Sequence, residues 1–122
     1  MLKKAPYTLY VIVSIETIKN NIDANPFQFR TAADLLDHLT TPHRNCVQNA
    51  FNEVYGSGIK QYQVRQRLEA SKQFLELAMN MKTITSKCFY KNQNSYCRAF
   101  KQAFDLTPSE WQRKYCTYKL SI

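Results

Sequence analysis

The chain has 122 residues, which is about the size of one domain and excludes a large multidomain enzyme. A hydrophobic fraction of 44% can form a packed core, and two glycines leave no glycine-rich phosphate loop and few tight turns for a many-stranded β protein. The 17 lysines and arginines against 9 acidic residues give a net charge of +8, so polyanions are the expected partners.

Hydrophobic periodicity and capping residues predict an all-α fold with seven helices. In chain order they cover about residues 8–23, 32–39, 42–55, 59–79, 83–90, 93–104 and 108–118. Thr31 and Thr41 are the expected N-caps of the second and third helices, with Pro42 as the first residue of the third. Thr107-Pro108-Ser109-Glu110 is a capped start for the last helix. We expect one compact domain, in which residues 1–30 form an N-terminal extension with the first helix.

An internal repeat relates the two halves of the chain, because adding 49 to a residue number in the first half leads to a similar residue in the second. The matched pairs are Leu35 with Ile84, Leu39 with Cys88, Asn45 with Asn94, Ala50-Phe51 with Ala99-Phe100, Tyr55 with Phe104, and Tyr62 with Trp111. The repeated pattern therefore predicts a short helix, a tight turn and a second helix in each half of the chain. Residues 31–118 are expected to hold two helix-turn-helix units joined by the long helix over 59–79.

The second helix of such a unit lies in the major groove of DNA, where exposed residues near its start contact base edges. The residues expected to be buried are Val47, Ala50 and Phe51 in the first unit and Tyr96, Ala99 and Phe100 in the second. The exposed residues that we expect to read bases are Arg44, Asn45, Gln48, Asn49, Gln93, Asn94, Cys97 and Arg98. Asn and Gln can bond bidentately to adenine, and Arg to guanine. For either helix alone, a solvated polar face is the alternative.

Further basic and hydroxyl residues are candidates for phosphate contacts, which position a protein on DNA without reading its sequence. These residues are Thr41, Lys60, Arg65, Lys87, Lys91, Lys101, Arg113 and Lys114. A solvated surface charge is an equally good interpretation of each basic residue. A helix over 59–79 would be about 30 Å long, close to the ~34 Å repeat of the major groove. One chain could therefore contact two adjacent turns of DNA.

No catalytic centre or metal site is expected. His38, His43 and Cys46 lie close in sequence, but no acidic orienting residue or oxyanion loop accompanies them. The cysteines have none of the paired spacings of a zinc or redox motif, which favours reduced thiols in a cytoplasmic protein. They are Cys46, Cys88, Cys97 and Cys116. No segment has the ~20 apolar residues that span a bilayer. We therefore predict no cofactor, no metal, no membrane partner and no small-molecule effector site.

One group of residues resembles the signature of the AraC-type transcription regulators. It comprises Arg67-Leu68-Glu69, Ser71, Ala99-Phe100-Lys101, Phe104 and Thr107-Pro108-Ser109-Glu110-Trp111. The similarity covers residues 31–115 and implies a seven-helix DNA-binding domain whose base-reading positions fall on Asn45, Gln48, Asn49, Asn94, Cys97 and Arg98. The family usually has glycine where this chain has Phe89 and Asp105. Because phenylalanine adopts a positive φ only at a cost, the geometry of the second unit's turn is left open.

These observations predict a transcription regulator that binds duplex DNA sequence-specifically and performs no enzymatic reaction. RNA polymerase is a further partner that the resemblance suggests. Two alternatives stay open at this point. One is a protein-interaction module whose helix-turn-helix units no longer read bases, and the other is a nonspecific nucleic-acid binder that acts through charge alone.

Overall fold

The computed structural model describes residues 7–115, which form seven α-helices and no strand. The helices are α1 (Leu9–Ala24), α2 (Ala32–His38), α3 (Arg44–Tyr55), α4 (Ile59–Glu76), α5 (Met81–Lys87), α6 (Gln93–Phe104) and α7 (Pro108–Tyr115). The prediction of an all-α fold with seven helices is confirmed. Cys116 and the predicted end of the last helix near residue 118 lie outside the described residues.

Threonine side chains begin two helices where the sequence predicts them. The Asp34 amide donates to Thr31 Oγ1 at 3.0 Å at the start of α2. At the start of α7, the Glu110 amide donates to Thr107 Oγ1 at 3.1 Å, and the Thr107 amide donates to Glu110 Oε1 at 2.8 Å. This reciprocal pair is a capping box. The hydrogen bond from the Thr107 amide is the main reason why the pKa of the Glu110 carboxyl lies below its ordinary value.

The start of α3 differs from the prediction because of how α2 ends. Thr40 takes a left-handed φ of 48°, and the Thr41 amide donates to the Leu36 carbonyl at 3.0 Å. This is the six-to-one hydrogen bond of a Schellman motif, which satisfies a carbonyl at the end of α2. The Thr41 backbone therefore belongs to the end of α2, and α3 begins later, at Arg44. The prediction of Thr41 as its N-cap and Pro42 as its first residue is wrong.

Helix α5 ends in the same way as α2. Phe89 takes a φ of 66°, and the Tyr90 amide donates to the Thr85 carbonyl at 3.1 Å. These positions follow their counterparts after α2 by 49 residues, so the sequence repeat is also a repeat of backbone geometry. Helix α5 therefore ends before Phe89 and not at Tyr90. It also begins before Thr83, because the Asn80 side chain accepts hydrogen bonds from the first amides of the helix.

The chain divides into two compact units, the first up to Gln63 and the second from Val64. The first unit buries Val11, Ile15, Ile18, Ile22, Leu35, Leu36, Val47, Ala50, Phe51 and Ile59, and α1 packs against α3. The second buries Leu68, Leu75, Ile84, Cys88, Tyr96 and Phe100. Helix α4 ends at Glu76 and not at residue 79, because Ala78 takes a left-handed φ of 62°.

Equivalent aromatic contacts lie in the two cores. The Phe51 ring centroid lies 4.7 Å from that of Tyr55 and 5.7 Å from that of Tyr62. The Phe100 centroid lies 4.7 Å and 6.0 Å from the two rings that occupy the same repeat positions, Phe104 and Trp111. Edge-on contacts at these distances are favourable for aromatic pairs. The phenylalanine of each half therefore fixes its helix against the same kind of aromatic neighbours.

The residue that follows α3 or α6 gives a stability prediction. Gly56 has a φ of 82° and Asp105, its repeat counterpart, has a φ of 66°. A side chain in this conformation costs energy that glycine avoids, so Asp105→Gly is expected to raise the free energy of unfolding by about 0.5–1 kcal/mol. Urea denaturation of the two proteins measures this difference. Asp105→Ala is the control, because it removes the carboxylate from the helix end but keeps the Cβ. An equal gain in both variants would show that charge and not backbone strain is responsible.

Candidate nucleic-acid interface

Helices α3 and α6 each bury one face and expose the opposite one, as their sequences predict. Val47, Ala50 and Phe51 of α3 are fully buried. On α6, Tyr96 and Phe100 are fully buried, whereas Ala99 is only half-buried. The predicted buried face is therefore confirmed except at Ala99, which lies toward the edge of the face. Residues on the opposite side of each helix are left available to a partner.

Most of the predicted base-reading residues lie on these exposed faces. Those that are exposed to solvent are Asn45, Gln48, Asn49, Gln93, Asn94 and Arg98. Cys97 is half-buried, and burial raises the pKa of its thiol, which disfavours the reactive thiolate. Cys97 therefore presents a small neutral side chain next to Arg98.

Arg44 differs from the other predicted base-reading residues because it already has partners within the first unit. Its guanidinium forms an ion pair with Asp37 of α2, and its Nε donates to the Thr41 carbonyl at 3.3 Å. Both partners lie in or just after α2. Arg44 thus ties the start of α3 to the end of α2, an arrangement that helical periodicity does not reveal.

An open groove lies beside the exposed face of α6. Its volume is about 540 Å³, and Cys97, Arg98, Lys101, Gln102 and Thr107 line it. The groove therefore extends from the exposed face of α6 to Thr107, the residue that caps α7. Two cationic side chains and several hydrogen-bonding groups in this position can contact phosphates and base edges together.

A second cavity, of about 380 Å³, lies at the start of α6. Its lining consists of Lys82, Thr85, Ser86, Tyr90, Lys91, Asn92 and Gln93. Lys82 and Lys91 are both exposed. The sequence predicts Lys91 as a phosphate ligand but not Lys82, which lies before the predicted start of α5 at Thr83. The side chain of Asn92 accepts from the Ser95 amide at 2.9 Å and so caps α6.

The remaining predicted phosphate ligands differ in their accessibility. Lys60, Arg65, Lys87, Lys101, Arg113 and Lys114 are exposed, whereas Thr41 is buried, with 9% of its surface accessible. The Arg65 guanidinium lies 5.2 Å from the centroid of the Phe104 ring, and the Lys87 ammonium 5.5 Å from that of Phe74. These cation–π contacts hold the cationic groups of Arg65 and Lys87 against the protein.

A buried hydrogen bond between side chains positions α6 in the second unit. The Tyr96 hydroxyl donates to Ser71 Oγ of α4 at 2.8 Å, and Ser71 Oγ donates to the Leu68 carbonyl at 2.7 Å. Both residues are fully buried, and burial raises the pKa of Tyr96. Periodicity places Ser71 on the buried face of α4 but does not reveal its partner on α6.

Lys72 of α4 also stabilises the second unit. Its ammonium lies 3.8 Å from the Phe104 ring centroid, 4.7 Å from that of Trp111 and 2.7 Å from Glu69 Oε1. The Trp111 indole Nε1 in turn donates to Glu76 Oε2 at 3.2 Å. Trp111 is therefore held by the protein on its face and at its edge, which fits a structural role better than base stacking.

Positive charge is concentrated in the second unit. The described residues up to Gln63 include four lysines and arginines and five acidic residues. The described residues from Val64 include ten lysines and arginines and four acidic residues. Most of the excess positive charge of the sequence therefore lies in the half of the chain that contains α6.

The protein family of the chain is shown by a match that covers both α3 and α6. A family model described as a helix-turn-helix domain, of the AraC type, matches residues 43–114, more than half of the chain. The chain belongs to the AraC-type helix-turn-helix family. The match runs from the residue before α3 to the last turn of α7 and so includes both α3 and α6. No curated protein and no solved structure matches the chain.

Membership of the AraC-type family identifies a DNA-binding domain of a transcription regulator. This family is one of regulators and not of enzymes. Within residues 7–115, no helix is both long enough and apolar enough to cross a membrane. The exposed faces of α3 and α6 are therefore the candidate DNA-contacting surfaces of an AraC-type domain.

Proposed function

We propose that this AraC-type domain binds duplex DNA sequence-specifically through two helix-turn-helix units, α2–α3 and α5–α6, and thereby regulates transcription. The observation that carries the proposal is the repeat itself. Asn45 and Asn49 of α3 are polar and exposed, and so are their counterparts 49 positions later, Asn94 and Arg98 of α6. Val47 and Phe51 of α3 are buried, and so are their counterparts Tyr96 and Phe100. Repeated exposure of groove-reading residue types is what two recognition helices require.

The two sets of side chains have different roles in this proposal. Asn45, Gln48, Asn49, Gln93, Asn94, Cys97 and Arg98 lie close to base edges. Arg44 can join them only by leaving Asp37. Lys60, Arg65, Lys87, Lys91 and Lys101 contact phosphates, whereas Thr41 is buried and is left out of this set. Adjacent major grooves of one duplex receive the two helices, which corresponds to a site of about two helical turns.

The regulatory step follows from where the domain binds. A protein held at a promoter either recruits RNA polymerase or excludes it, and both outcomes require a specific site. We place this activity in the cytoplasm, together with the DNA that the domain binds. The proposal involves no cofactor and no small-molecule effector.

Selection of bound duplexes from a random pool tests the proposal most directly. We expect a defined sequence to be enriched, with a footprint of about two helical turns. The logarithm of the binding constant should fall linearly with the logarithm of salt concentration, with a slope of about 0.9 per neutralised phosphate. Binding of all duplexes with equal affinity would favour the charge-only alternative. Absence of any duplex binding would favour a protein-interaction module.

Two neighbouring residues of α6 distinguish base reading from phosphate contact. We expect Arg98→Ala to relax preference at one or two base pairs, because a guanidinium bonded to guanine contributes about 1–3 kcal/mol of discrimination. Lys101→Ala should weaken binding to every duplex alike and lower the salt slope by about one. Affinities for the selected duplex and for single-base variants measure both effects. Equal losses on all duplexes for both variants would contradict the assignment of roles.

A further inference from the structure

We propose that the half-site contacted by α3 is rich in adenine, whereas the half-site contacted by α6 includes guanine. This inference rests on the proposed function, since it assumes that both helices read DNA. It goes further by naming the bases that each helix favours. The basis is a difference in chemistry between two faces that are related by the repeat.

The exposed face of α3 is formed by side-chain amides. Asn45, Gln48, Asn49 and Asn52 have the spacing i, i+3, i+4, i+7, which places them on one side of a helix, and all four are exposed. The opposite side carries the buried core residues of the helix. Helix α3 therefore presents a continuous row of four carboxamides.

A carboxamide has one donor group and one acceptor group side by side. Adenine presents a matching acceptor and donor in the major groove, at N7 and N6. Guanine presents two acceptors there, O6 and N7, so one group of an amide would face an acceptor with its own oxygen. A guanidinium, with two parallel donors, matches guanine instead. A row of amides therefore favours adenine over guanine.

No free guanidinium or ammonium group accompanies this row on α3. The only Lys or Arg residue of α3 is Arg44, at its first position. Its guanidinium is paired with Asp37 and also donates to the Thr41 carbonyl. Reading guanine with Arg44 would break the ion pair and leave the exposed Asp37 carboxylate without its counter-charge near the negatively charged DNA. Because this cost opposes guanine recognition, the amides determine the preference of α3.

The corresponding face of α6 has different chemistry. The residues 49 positions after the four amides are Asn94, Cys97, Arg98 and Lys101. Only the first is an amide, and Arg98 is exposed beside the open groove. The second unit also contains most of the positive charge. It therefore supplies guanine recognition and most of the attraction to phosphates, while α3 supplies adenine recognition through neutral groups.

Modified bases in the selected duplex test the inference. Each adenine is replaced in turn by 7-deazaadenine, which keeps its base pair but lacks the N7 acceptor. We expect an affinity loss of about 5- to 150-fold at each adenine contacted by an amide of α3. In Asn49→Ala, the loss at the adenine contacted by Asn49 should disappear, because the variant no longer makes that bond. Asn45→Ala, Gln48→Ala and Asn52→Ala are tested in the same way.

Two controls separate this effect from folding. Alanine is a better helix former than asparagine or glutamine, so these variants should keep α3 intact. Asn20→Ala removes an exposed amide from α1 and should leave every adenine penalty unchanged. Arg98→Ala should remove the penalty for 7-deazaguanine in the other half-site and leave the adenine penalties in place.

The outcomes distinguish this inference from the proposed function. If selection enriches a specific site but the positions relaxed by Asn49→Ala are G·C pairs, the adenine preference is wrong and sequence-specific binding stands. The same holds if none of the four alanine variants changes any 7-deazaadenine penalty. If no sequence is enriched at all, the proposed function fails and the inference fails with it.

Discussion

Replacing Phe100 with alanine is expected to lower the free energy of unfolding by about 3–5 kcal/mol. Phe100 is fully buried in the second unit. Its ring contacts Tyr96, Phe104 and Trp111, with centroid distances of 5.9, 4.7 and 6.0 Å. Alanine would lose these contacts and leave a cavity that three rigid rings fill poorly. Since a domain is stable by only about 5–15 kcal/mol, this loss would remove a large part of its stability.

Trp111 allows the effect of Phe100→Ala to be measured locally. It is the single tryptophan of the chain, and its ring also lies 4.3 Å from that of Tyr115. Urea unfolding followed by Trp111 fluorescence should show a lower midpoint with an unchanged slope. Gln102→Ala is the matched control, because Gln102 is an exposed residue of the same helix and should change stability by less than about 0.5 kcal/mol. Equal midpoints for Phe100→Ala and Gln102→Ala would contradict the assignment of Phe100 to the core.

Replacing Phe51 with alanine should cause a loss of similar size in the first unit, about 3–5 kcal/mol. Phe51 is also fully buried and contacts Tyr55 and Tyr62. It belongs to the cluster that includes Ile15 and Ile18 of α1, so its removal loosens the packing of α1 against α3. Because α3 carries the row of amides, we also expect weaker discrimination in the half-site that we propose to be rich in adenine.

Amide hydrogen exchange measures the effect of Phe51→Ala where it is expected. Protection of α1 and α3 should fall by the factor that corresponds to the loss of stability. Val54→Ala is the matched control, because Val54 lies on the same helix and 52% of its surface is exposed. Unchanged protection of α1 in Phe51→Ala would show that Phe51 does not connect these two helices.

The position of Phe89 shows how a departure from the family pattern is accommodated. The family usually has glycine there, and the sequence left the geometry of this turn open. Phe89 nevertheless takes the left-handed φ of 66° that the Schellman motif requires. The Arg67 guanidinium lies 4.7 Å from its ring centroid, so the side chain that makes this conformation costly also gains a contact. Phe89 is only half-buried, and its backbone keeps the turn of the second unit similar to that of the first.

The sequence by itself determined the helical class, the number of helices, the repeat and the buried faces of α3 and α6. These features depend on local rules, since apolar residues that recur every three or four positions bury one side of any helix they form. The same rules identified which side chains of α3 and α6 face solvent. Two assignments on α6 were wrong: Ala99, expected to be buried, and Cys97, expected to be exposed, are both half-buried. Both are small residues, for which the periodic pattern gives no strong signal.

Only the tertiary structure decided where several helices end and which polar side chains already have partners. Thr40, Ala78 and Phe89 end their helices in a left-handed conformation that non-glycine residues rarely adopt, so no local pattern predicts it. The ion pair of Arg44 with Asp37 joins residues of different helices, and so does the hydrogen bond of Tyr96 with Ser71. Such contacts depend on how helices pack, and packing brings together side chains that are distant in the chain. For that reason the sequence indicated a guanidinium at the start of α3, but the fold decided that Asp37 holds it.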